Sequence, residues 1–232
     1  LHELARRLNG VTVPTTVTVP TWVHVLTDGR RRAPDTAVRA QLSTLNRAYA
    51  GTGFRFQLAG TDVTRDKNWF TDPFDNERAM KTQLRRGGPE TLNLYLAQLR
   101  DLVLGYSTYP YWYDDSPVLD GVVIDWRSLP GGPLRDFNLG YTGVHEIGHW
   151  LGLFHTFENG CQSPGDGIGD TPPEAYPTEG CPAAKDSCPM GGADPIHNFM
   201  DYSFDRCMTQ FTRGQAVRLR QMWAAYREGS DH

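Results

Sequence analysis

Three histidines and a glutamate lie close together in the stretch HEIGHWLGLFH, residues 145–155, of a chain that has seven histidines in all. On an α-helix His145 and His149 are about one turn apart, so both imidazoles can reach one metal ion from the same face. Gly152 stands where a helix commonly ends with one left-handed residue, a conformation that glycine adopts without steric cost. The chain can turn there and return His155 as a third ligand. Three neutral histidines leave the fourth zinc position open for water, which is the arrangement of a catalytic site.

Glu146 is adjacent to the first of these ligands. Its carboxylate can point at a water on the zinc without being a ligand, take a proton from that water and later pass it to a departing amine. The pattern HExxH arises by chance in a chain of this length roughly once in a hundred times, and the added glycine and third histidine make chance far rarer. A set of ordinary buried histidines is therefore a weak alternative, while a zinc site that has lost its activity stays open.

Length and charge exclude several classes of function. A chain of 232 residues can form one large domain or two subdomains that share a cleft. The net charge of −4, from 23 basic and 27 acidic residues, gives no reason to expect nucleic acid or an anionic membrane as partner, and the basic run at residues 30–32 is typical of a solvated loop. No apolar stretch approaches the roughly 20 residues that span a bilayer. We expect a mature, soluble form from which any export signal is absent.

All four cysteines, which are Cys161, Cys181, Cys188 and Cys207, lie in the last third of the chain among Gly, Pro and Asp. An even number in one loop-rich region favours two disulfides and an oxidising, extracellular compartment. A structural zinc site is the alternative, but the sequence has no Cys-x-x-Cys pair and the cysteines are widely spaced. Four cysteines allow three pairings, and the residues alone do not choose among them.

Regular elements are predicted in the first two thirds of the chain and again at its end. Apolar alternation predicts strands, helical spacing predicts helices, and the alternation of the two favours a mostly parallel sheet. After about residue 152 the composition shifts to Gly, Pro, Asp and Cys until a final amphipathic helix, so we expect an N-terminal subdomain at 1–152 and a C-terminal one at 153–232. The predicted strands are 16–26, 54–63, 91–99, 105–110 and 121–126, and the predicted helices are 34–50, 76–86 and 212–227.

The loop DGIGDT raises the question of a second metal. Asp166 and Asp170 stand in a Gly-rich segment whose backbone carbonyls are not used by regular structure, and such oxygens are the ligands that calcium prefers. The spacing is not that of an EF-hand, and a pair of Asp-Gly turns explains the segment equally well.

The full stretch HEIGHWLGLFH matches the metzincin signature HExxHxxGxxH, and the segment NFMDY, residues 198–202, resembles the Met-turn of those enzymes. The flanking segments HTFENGC, DGIGDTPPE and DPIHNFMDY resemble the pappalysin family of metalloproteases. That resemblance implies an α+β metzincin fold with a mixed five-stranded sheet, in which residues 105–110 form an antiparallel edge strand above a cleft floored by the zinc helix. An edge strand offers unpaired N–H and C=O groups that suit an extended peptide.

The resemblance also implies roles for residues near the Met-turn. Met200 would form an apolar floor beneath the histidines, and the Tyr202 hydroxyl would lie near the zinc, where it could bind the oxyanion of the tetrahedral intermediate. A bare tyrosine would more often be part of the core. The implied disulfides join Cys161 to Cys188 and Cys181 to Cys207. One or two calcium ions are implied, with the loop ligands Asp166, Asp170 and the carbonyls of Ile168 and Thr171.

Asp205 carries the prediction of specificity. It lies five residues after Met200, where the chain of related enzymes lines the pocket for the side chain just after the scissile bond. The resemblance implies that a carboxylate there selects arginine, and less often lysine, because a guanidinium can pair with it in two hydrogen bonds. The alternative is that Asp205 merely pairs with a neighbour such as Arg206 or a surface lysine.

Together these observations predict a secreted, monomeric zinc endopeptidase that acts on protein or peptide substrates and binds neither nucleic acid nor membranes. Two alternatives are a zinc hydrolase of small amides and a zinc-containing binding module. The binding module would need neither Glu146 nor Tyr202. The histidines without ligand spacing, predicted to be structural or exposed, are His2, His24, His197 and His232.

Overall fold

A single sheet organises the protein, whose computed structural model describes residues 2–228, so that His232 lies outside the described residues. The strand order is β2-β1-β3-β5-β4. Neighbouring strands are parallel except β4, which pairs antiparallel with β5 at the edge. The predicted mixed five-stranded sheet with an antiparallel edge is thereby confirmed. The strands are β1 (Val17–Thr27), β2 (Phe54–Arg65), β3 (Leu92–Ala97), β4 (Gly105–Ser107) and β5 (Val122–Asp125).

The described helices include all those that the sequence predicted. The predicted helices correspond to α2, α4 and α6 within a few residues, which is the ordinary uncertainty of helix ends. Two short helices, α1 and α3, were not predicted; α3 is held by Asp66, whose side chain accepts from the N–H groups of Asn68 and Trp69. Among the described helices, none combines the length and apolar character that a membrane span requires. The helices are α1 (His2–Arg7), α2 (Asp35–Ala48), α3 (Lys67–Thr71), α4 (Glu77–Leu84), α5 (Tyr141–Trp150) and α6 (Arg213–Tyr226).

The edge strand is shorter than the predicted 105–110, because β4 ends at Ser107. The N–H of Thr108 still donates to the carbonyl of Gly121, but Pro110 then begins a 3₁₀ turn. Proline lacks an N–H and fixes φ, so it cannot extend the ladder. The aromatic residues that follow β4 therefore leave the sheet beside the end of α5.

Two apolar clusters cover the two faces of the sheet. The smaller cluster contains Phe70 of α3, Met80 of α4 and Tyr95 of β3. The larger one joins β1, β3 and α5 to residues of the last third, including Met200 and Trp223. The regions before and after residue 152 therefore share one core.

Residues 151–212 contain no α-helix and are held by covalent and ionic contacts instead. Disulfides join Cys161 to Cys188 and Cys181 to Cys207, which is the pairing that the family resemblance implies. Crosslinks of this kind substitute for the core that an irregular segment cannot form.

The ammonium group of Lys185 stabilises this region further through ion pairs. It lies 2.7 Å from Oε1 of Glu174 and 3.3 Å from Oδ2 of Asp194, and both carboxylates are fully buried. The other oxygen of Glu174 accepts from the hydroxyl of Thr156, the residue that follows His155. Lys185 thus pairs with two buried carboxylates at once and links their loop to the chain at the third histidine.

Candidate metal centre

The helix α5 ends where the sequence predicted, and the turn returns the chain toward the helix. Gly152 has a φ of 96°, and its N–H donates to the carbonyl of His149, while Leu153 donates to Gly148. A Cβ on Gly152 would lie 2.6 Å from Cγ of Met222, so both conformation and space require glycine. This turn carries His155 back beside the helix.

The three histidines converge on one point. Nε2 of His149 lies 3.1 Å from Nε2 of His145 and 3.0 Å from Nε2 of His155. The outer nitrogens of two of them are occupied, because Nδ1 of His145 donates to the carbonyl of Phe199 and Nδ1 of His149 to the carbonyl of Leu153, each at 2.7 Å. Neutral imidazoles with Nδ1 protonated point lone pairs from Nε2, and lone pairs this close repel unless a cation lies among them. The donor set therefore fits a zinc ion with three nitrogen ligands.

The electrostatics of the centre favour the ligand form of the histidines. Burial, together with the neighbouring imidazoles, lowers the pKa of His145, His149 and His155 to about 3 each. Neutral imidazole is the form that binds a metal, so these ligands need not lose a proton near neutral pH.

Glu146 lies between the histidines and the edge strand. Its Oε2 accepts a hydrogen bond from the hydroxyl of Ser107 at 3.1 Å, and burial raises the pKa of Glu146 to about 8. A Cβ added to Gly105 would come within 2.7 Å of Cγ of Glu146, so the strand passes directly against this carboxyl. A carboxyl so placed can accept and return a proton.

The free edge of β4 faces the same cleft. The carbonyl of Leu104 accepts from Asp125, and the N–H of Thr108 donates to Gly121. Antiparallel pairing alternates along a strand, so the backbone groups of Gly105 and Ser107 point away from β5. They are free to pair with an extended chain lying beside the metal centre.

Met200 packs beneath the zinc helix, and the turn around it positions two of the histidines. Met200 is fully buried, and its Sδ lies 2.4 Å from where a Cβ on Gly148 would stand. The turn is closed by Asn198, which accepts from the N–H of Met200 and exchanges two amide hydrogen bonds with Gln215 of α6. The carbonyl of Met200 accepts from the N–H of Thr156, next to the third histidine.

Tyr202 reaches the metal centre, where the resemblance implied it. Its hydroxyl lies 3.2 Å from Nε2 of His155, and 48% of the residue is exposed. Burial of the hydroxyl, with the nearby charge of Glu146, raises the pKa of Tyr202 above its usual value. The hydroxyl therefore stays protonated and can donate to an oxygen bound beside the histidines.

A cavity of about 420 Å³ lies next to Glu146, and Asp205 forms part of its lining. Asp205 is 2% exposed and accepts from the N–H of Leu139 at 2.8 Å, while burial raises the pKa of Asp205 to about 6. Arg206 pairs with Asp136 rather than with Asp205. The cavity walls include Leu104, Gly105, Phe137, Tyr141, His145, Tyr202 and Met208.

The predicted calcium loop brings together only part of its predicted ligands. The hydroxyl of Thr171 lies 2.7 and 2.8 Å from the two carboxylate oxygens of Asp166 and 2.9 Å from the carbonyl of Ile168. One hydroxyl proton cannot serve three acceptors, so this oxygen cluster fits a cation such as calcium. Thr171 contributes its hydroxyl to this cluster, whereas its carbonyl was the predicted ligand. Asp170 turns away and accepts from Thr212 and Gly214 at the start of α6.

Several residues of the site carry no sequence signal of their own. Ser107 is the last residue of the edge strand and contacts Glu146, while Tyr109 follows two residues later and its hydroxyl lies 3.2 Å from Nδ1 of His149. Only the spacing Thr212-x-x-Gln215, a capping box at the start of α6, could have pointed to Gln215.

Comparisons with known proteins agree with this geometry. A family model described as Pregnancy-associated plasma protein-A, peptidase M43, matches residues 133–224. An extracellular metalloprotease of Neurospora crassa is 44% identical over 97% of this chain and 81% of its own length. An extracellular metalloprotease of Pyricularia oryzae is 45% identical over 92% of this chain and 77% of its own length.

Two solved structures share the fold. Mature mirolysin of Tannerella forsythia in complex with a cleaved peptide has a TM-score of 0.75 and 27% identity, covering 89% of this chain and 91% of that chain. A promirolysin mutant of the same organism has a TM-score of 0.80 and 26% identity, covering 97% of this chain and 86% of that chain.

Proposed function

The chain belongs to the peptidase M43 family described as Pregnancy-associated plasma protein-A, and from that premise we propose that it is a secreted zinc endopeptidase that cuts before arginine or lysine. The predicted pappalysin resemblance is confirmed, and the chain is a metalloprotease. The observation that carries the proposal is the convergence of the Nε2 atoms of three neutral imidazoles beside Glu146 and a free sheet edge. His145, His149 and His155 would hold a zinc ion, which would act as a Lewis acid and activate water as a nucleophile at neutral pH.

The residues around the metal centre are proposed to transfer the proton, stabilise the oxyanion and align the substrate. Glu146 takes the proton of the attacking water and returns it to the leaving amine, with Ser107 fixing the orientation of its carboxyl. Tyr202 donates its hydroxyl proton in a hydrogen bond to the oxyanion that forms at the scissile carbonyl. The outward backbone groups of Gly105 and Ser107 align the substrate as an added strand. Such alignment favours an extended peptide over a small amide.

Asp205 gives the cavity its proposed specificity. A buried carboxylate in the lining of a largely apolar cavity favours a long cationic side chain, whose stem packs on the walls while its head pairs with the charge. Arg206 does not neutralise this carboxylate, since it pairs with Asp136. The residue just after the scissile bond is the proposed occupant.

One calcium ion is proposed at the oxygen cluster of Asp166, Ile168 and Thr171. The cation would satisfy carboxylate and carbonyl lone pairs that a single hydroxyl cannot. Burial raises the pKa of Asp166, and the nearby guanidinium of Arg218 opposes this rise and is the competing source of positive charge.

Secretion is supported by the names of the extracellular relatives and by the two disulfides. The negative net charge is consistent with the proposed absence of nucleic-acid and membrane partners. A monomer with subdomains at 1–152 and 153–232 remains our proposal for the assembly.

A digest of denatured casein tests the endopeptidase function. The wild type should cut it, a zinc chelator should stop the cutting, and sequencing of the new N-termini should show arginine or lysine. The Glu146→Ala variant should keep stoichiometric zinc and lose about 10²- to 10⁴-fold in rate, because the ligands remain and the base does not. Intact casein, with hydrolysis of small amides only, would favour the alternative hydrolase.

A further inference from the structure

Three aromatic side chains form a surface that the proposed mechanism does not use. They are Tyr109, Trp112 and Phe154, and we call them the aromatic shelf. The ring centroid of Tyr109 lies 5.1 Å from that of Trp112 and 5.5 Å from that of Phe154. Trp112 is 46% exposed, although a tryptophan of a monomeric protein is usually more deeply covered. An exposed aromatic cluster beside a catalytic centre is a candidate binding surface.

The shelf lies across the metal centre from the Asp205 cavity. That cavity is lined by Gly105, at the start of β4, and by His145 on α5. The shelf begins two residues after β4 ends, and its Tyr109 contacts His149, one turn further along α5. Strand and helix therefore both run from the cavity to the shelf, with the histidines between them.

The direction of a bound peptide follows from the proposed cavity occupant, so this inference rests on the proposed function. If the residue after the scissile bond enters the Asp205 cavity, the residues before that bond must lie toward the shelf. The peptide then runs antiparallel to β4, which is the ordinary pairing for an added strand at this edge. The N-terminal half of the peptide, which follows β4, therefore leaves the cleft toward the shelf.

Distances indicate which residues would contact the shelf. The Tyr109 ring lies 5.4 Å from the His149 ring, and the Trp112 ring is a further step of 5.1 Å away. An extended peptide advances about 3.3 Å per residue. Trp112 is therefore within reach of the second and third residues before the scissile bond.

The shelf is preformed. Tyr111 stacks against Tyr109 at 5.4 Å with an interplanar angle of 12°, and it also contacts Tyr226 of α6. The three side chains of the shelf are themselves uncharged. A rigid aromatic surface of this kind binds apolar and aromatic side chains with little loss of conformational freedom.

We propose that the aromatic shelf is the binding site for the second and third substrate residues before the scissile bond and that it selects apolar side chains, aromatic ones most strongly. The protease would then recognise two features at once. A cationic residue follows the cut, and an apolar or aromatic residue precedes it by two or three positions.

Cleavage of a peptide library by the wild type, with arginine held just after the cut, tests this proposal. We expect phenylalanine or tyrosine at the second or third position before the cut to raise kcat/KM about three- to tenfold over alanine. Trp112→Ala should abolish that ratio, and Trp112→Phe should keep most of it. Phe74→Ala is the matched control, because Phe74 is also an exposed ring edge-on to a tyrosine, but belongs to the other face of the sheet.

Binding gives a readout independent of turnover. In the Glu146→Ala background, calorimetry should show the same three- to tenfold preference in Kd for the phenylalanine peptide, and Trp112→Ala should remove it there too. A wild type that cuts casein but shows no such preference overturns the shelf and leaves the endopeptidase intact. A wild type that cuts nothing overturns the proposed function instead. Equal loss of the preference in Phe74→Ala also overturns the shelf, because the effect would then not be local.

Discussion

The N–H of Leu139 donates a 2.8 Å hydrogen bond to Oδ2 of Asp205. Leu139 precedes Gly140 at the start of the zinc helix, whereas Asp205 lies five residues after Met200 of the Met-turn. The Asp205 carboxyl that lines the cavity is thus also the group that holds the beginning of α5. A negative charge at a helix N-terminus is favourable, so Asp205 has a structural role beside its proposed role in specificity.

Asp205→Asn separates the two roles. The amide oxygen still accepts from the backbone of Leu139, but the charge is gone, so we expect the preference for arginine after the cut to fall at least tenfold with little change in melting temperature. Asp205→Ala should lose both the arginine preference and the hydrogen bond to Leu139, and the loss of that bond should lower the stability by about 1 kcal/mol. Sequenced digestion products and thermal melts check this. Arginine enrichment that survives in both variants would remove Asp205 from the specificity site.

The preference for arginine should also depend on pH. Burial raises the pKa of Asp205 from 3.8 to about 6, so the carboxylate is charged above that pH and becomes neutral as the pH falls through it. Asp136 and Arg206 pair with each other nearby, and Glu146 and His145 face the same cavity. We therefore measure the ratio of kcat/KM for matched peptides with arginine or alanine after the cut, in which the shared catalytic groups cancel. The ratio should be flat near pH 8 and fall about tenfold per unit below pH 6. A ratio of kcat/KM that stays constant down to pH 5 would contradict the role of the Asp205 charge in binding arginine.

Tyr202→Phe tests the oxyanion role. Removal of the hydroxyl should lower kcat by about 10²- to 10³-fold with KM and zinc content nearly unchanged, because the hydrogen bond forms mainly in the transition state. Tyr176→Phe, at an exposed tyrosine, is the control and should be unaffected. A change confined to KM would mean that Tyr202 contacts only the ground state of the substrate.

Calcium should stabilise the fold without being needed for zinc binding. Starting from metal-free Glu146→Ala protein, which cannot digest itself, calcium is added back at buffered zinc. At a calcium concentration of 100 Kd we expect about 2.7 kcal/mol of stabilisation, or a rise in Tm of roughly 5–10 °C. Asp166→Asn should lose this response, while Asp75→Asn, at an exposed aspartate, should keep it. No response in the parent protein would indicate that Thr171 and Arg218 already satisfy Asp166.

Lys185→Met should be strongly destabilising. It leaves the carboxylates of Glu174 and Asp194 buried without their cation, a change that costs about 3–5 kcal/mol and should lower Tm by roughly 10 °C. Lys67→Met removes an exposed lysine and should stay within about 0.5 kcal/mol of the parent. Similar melting temperatures for the two variants would show that the buried carboxylates are satisfied without Lys185.

Local spacing was sufficient to predict the metal centre. His145 and His149 share a helix face because four residues make about one turn, and Gly152 ends that helix because only glycine fits its φ and the space beside Met222. The strands and main helices were predictable for the same reason, since their apolar periodicity is a property of neighbouring residues.

The other features of the site are determined by contacts between segments that are distant in the sequence. The carbonyl of Phe199 that orients His145, the hydroxyl of Ser107 on Glu146, and the turn of Asp170 toward α6 all join residues about 40 to 54 positions apart. A serine, a backbone carbonyl or a single aspartate carries no pattern that identifies a partner so far along the chain. Their positions depend on how the last third of the chain packs against the sheet. The irregular loops there have no hydrophobic periodicity of their own, so their conformation is determined by disulfides, buried ion pairs and the shared core.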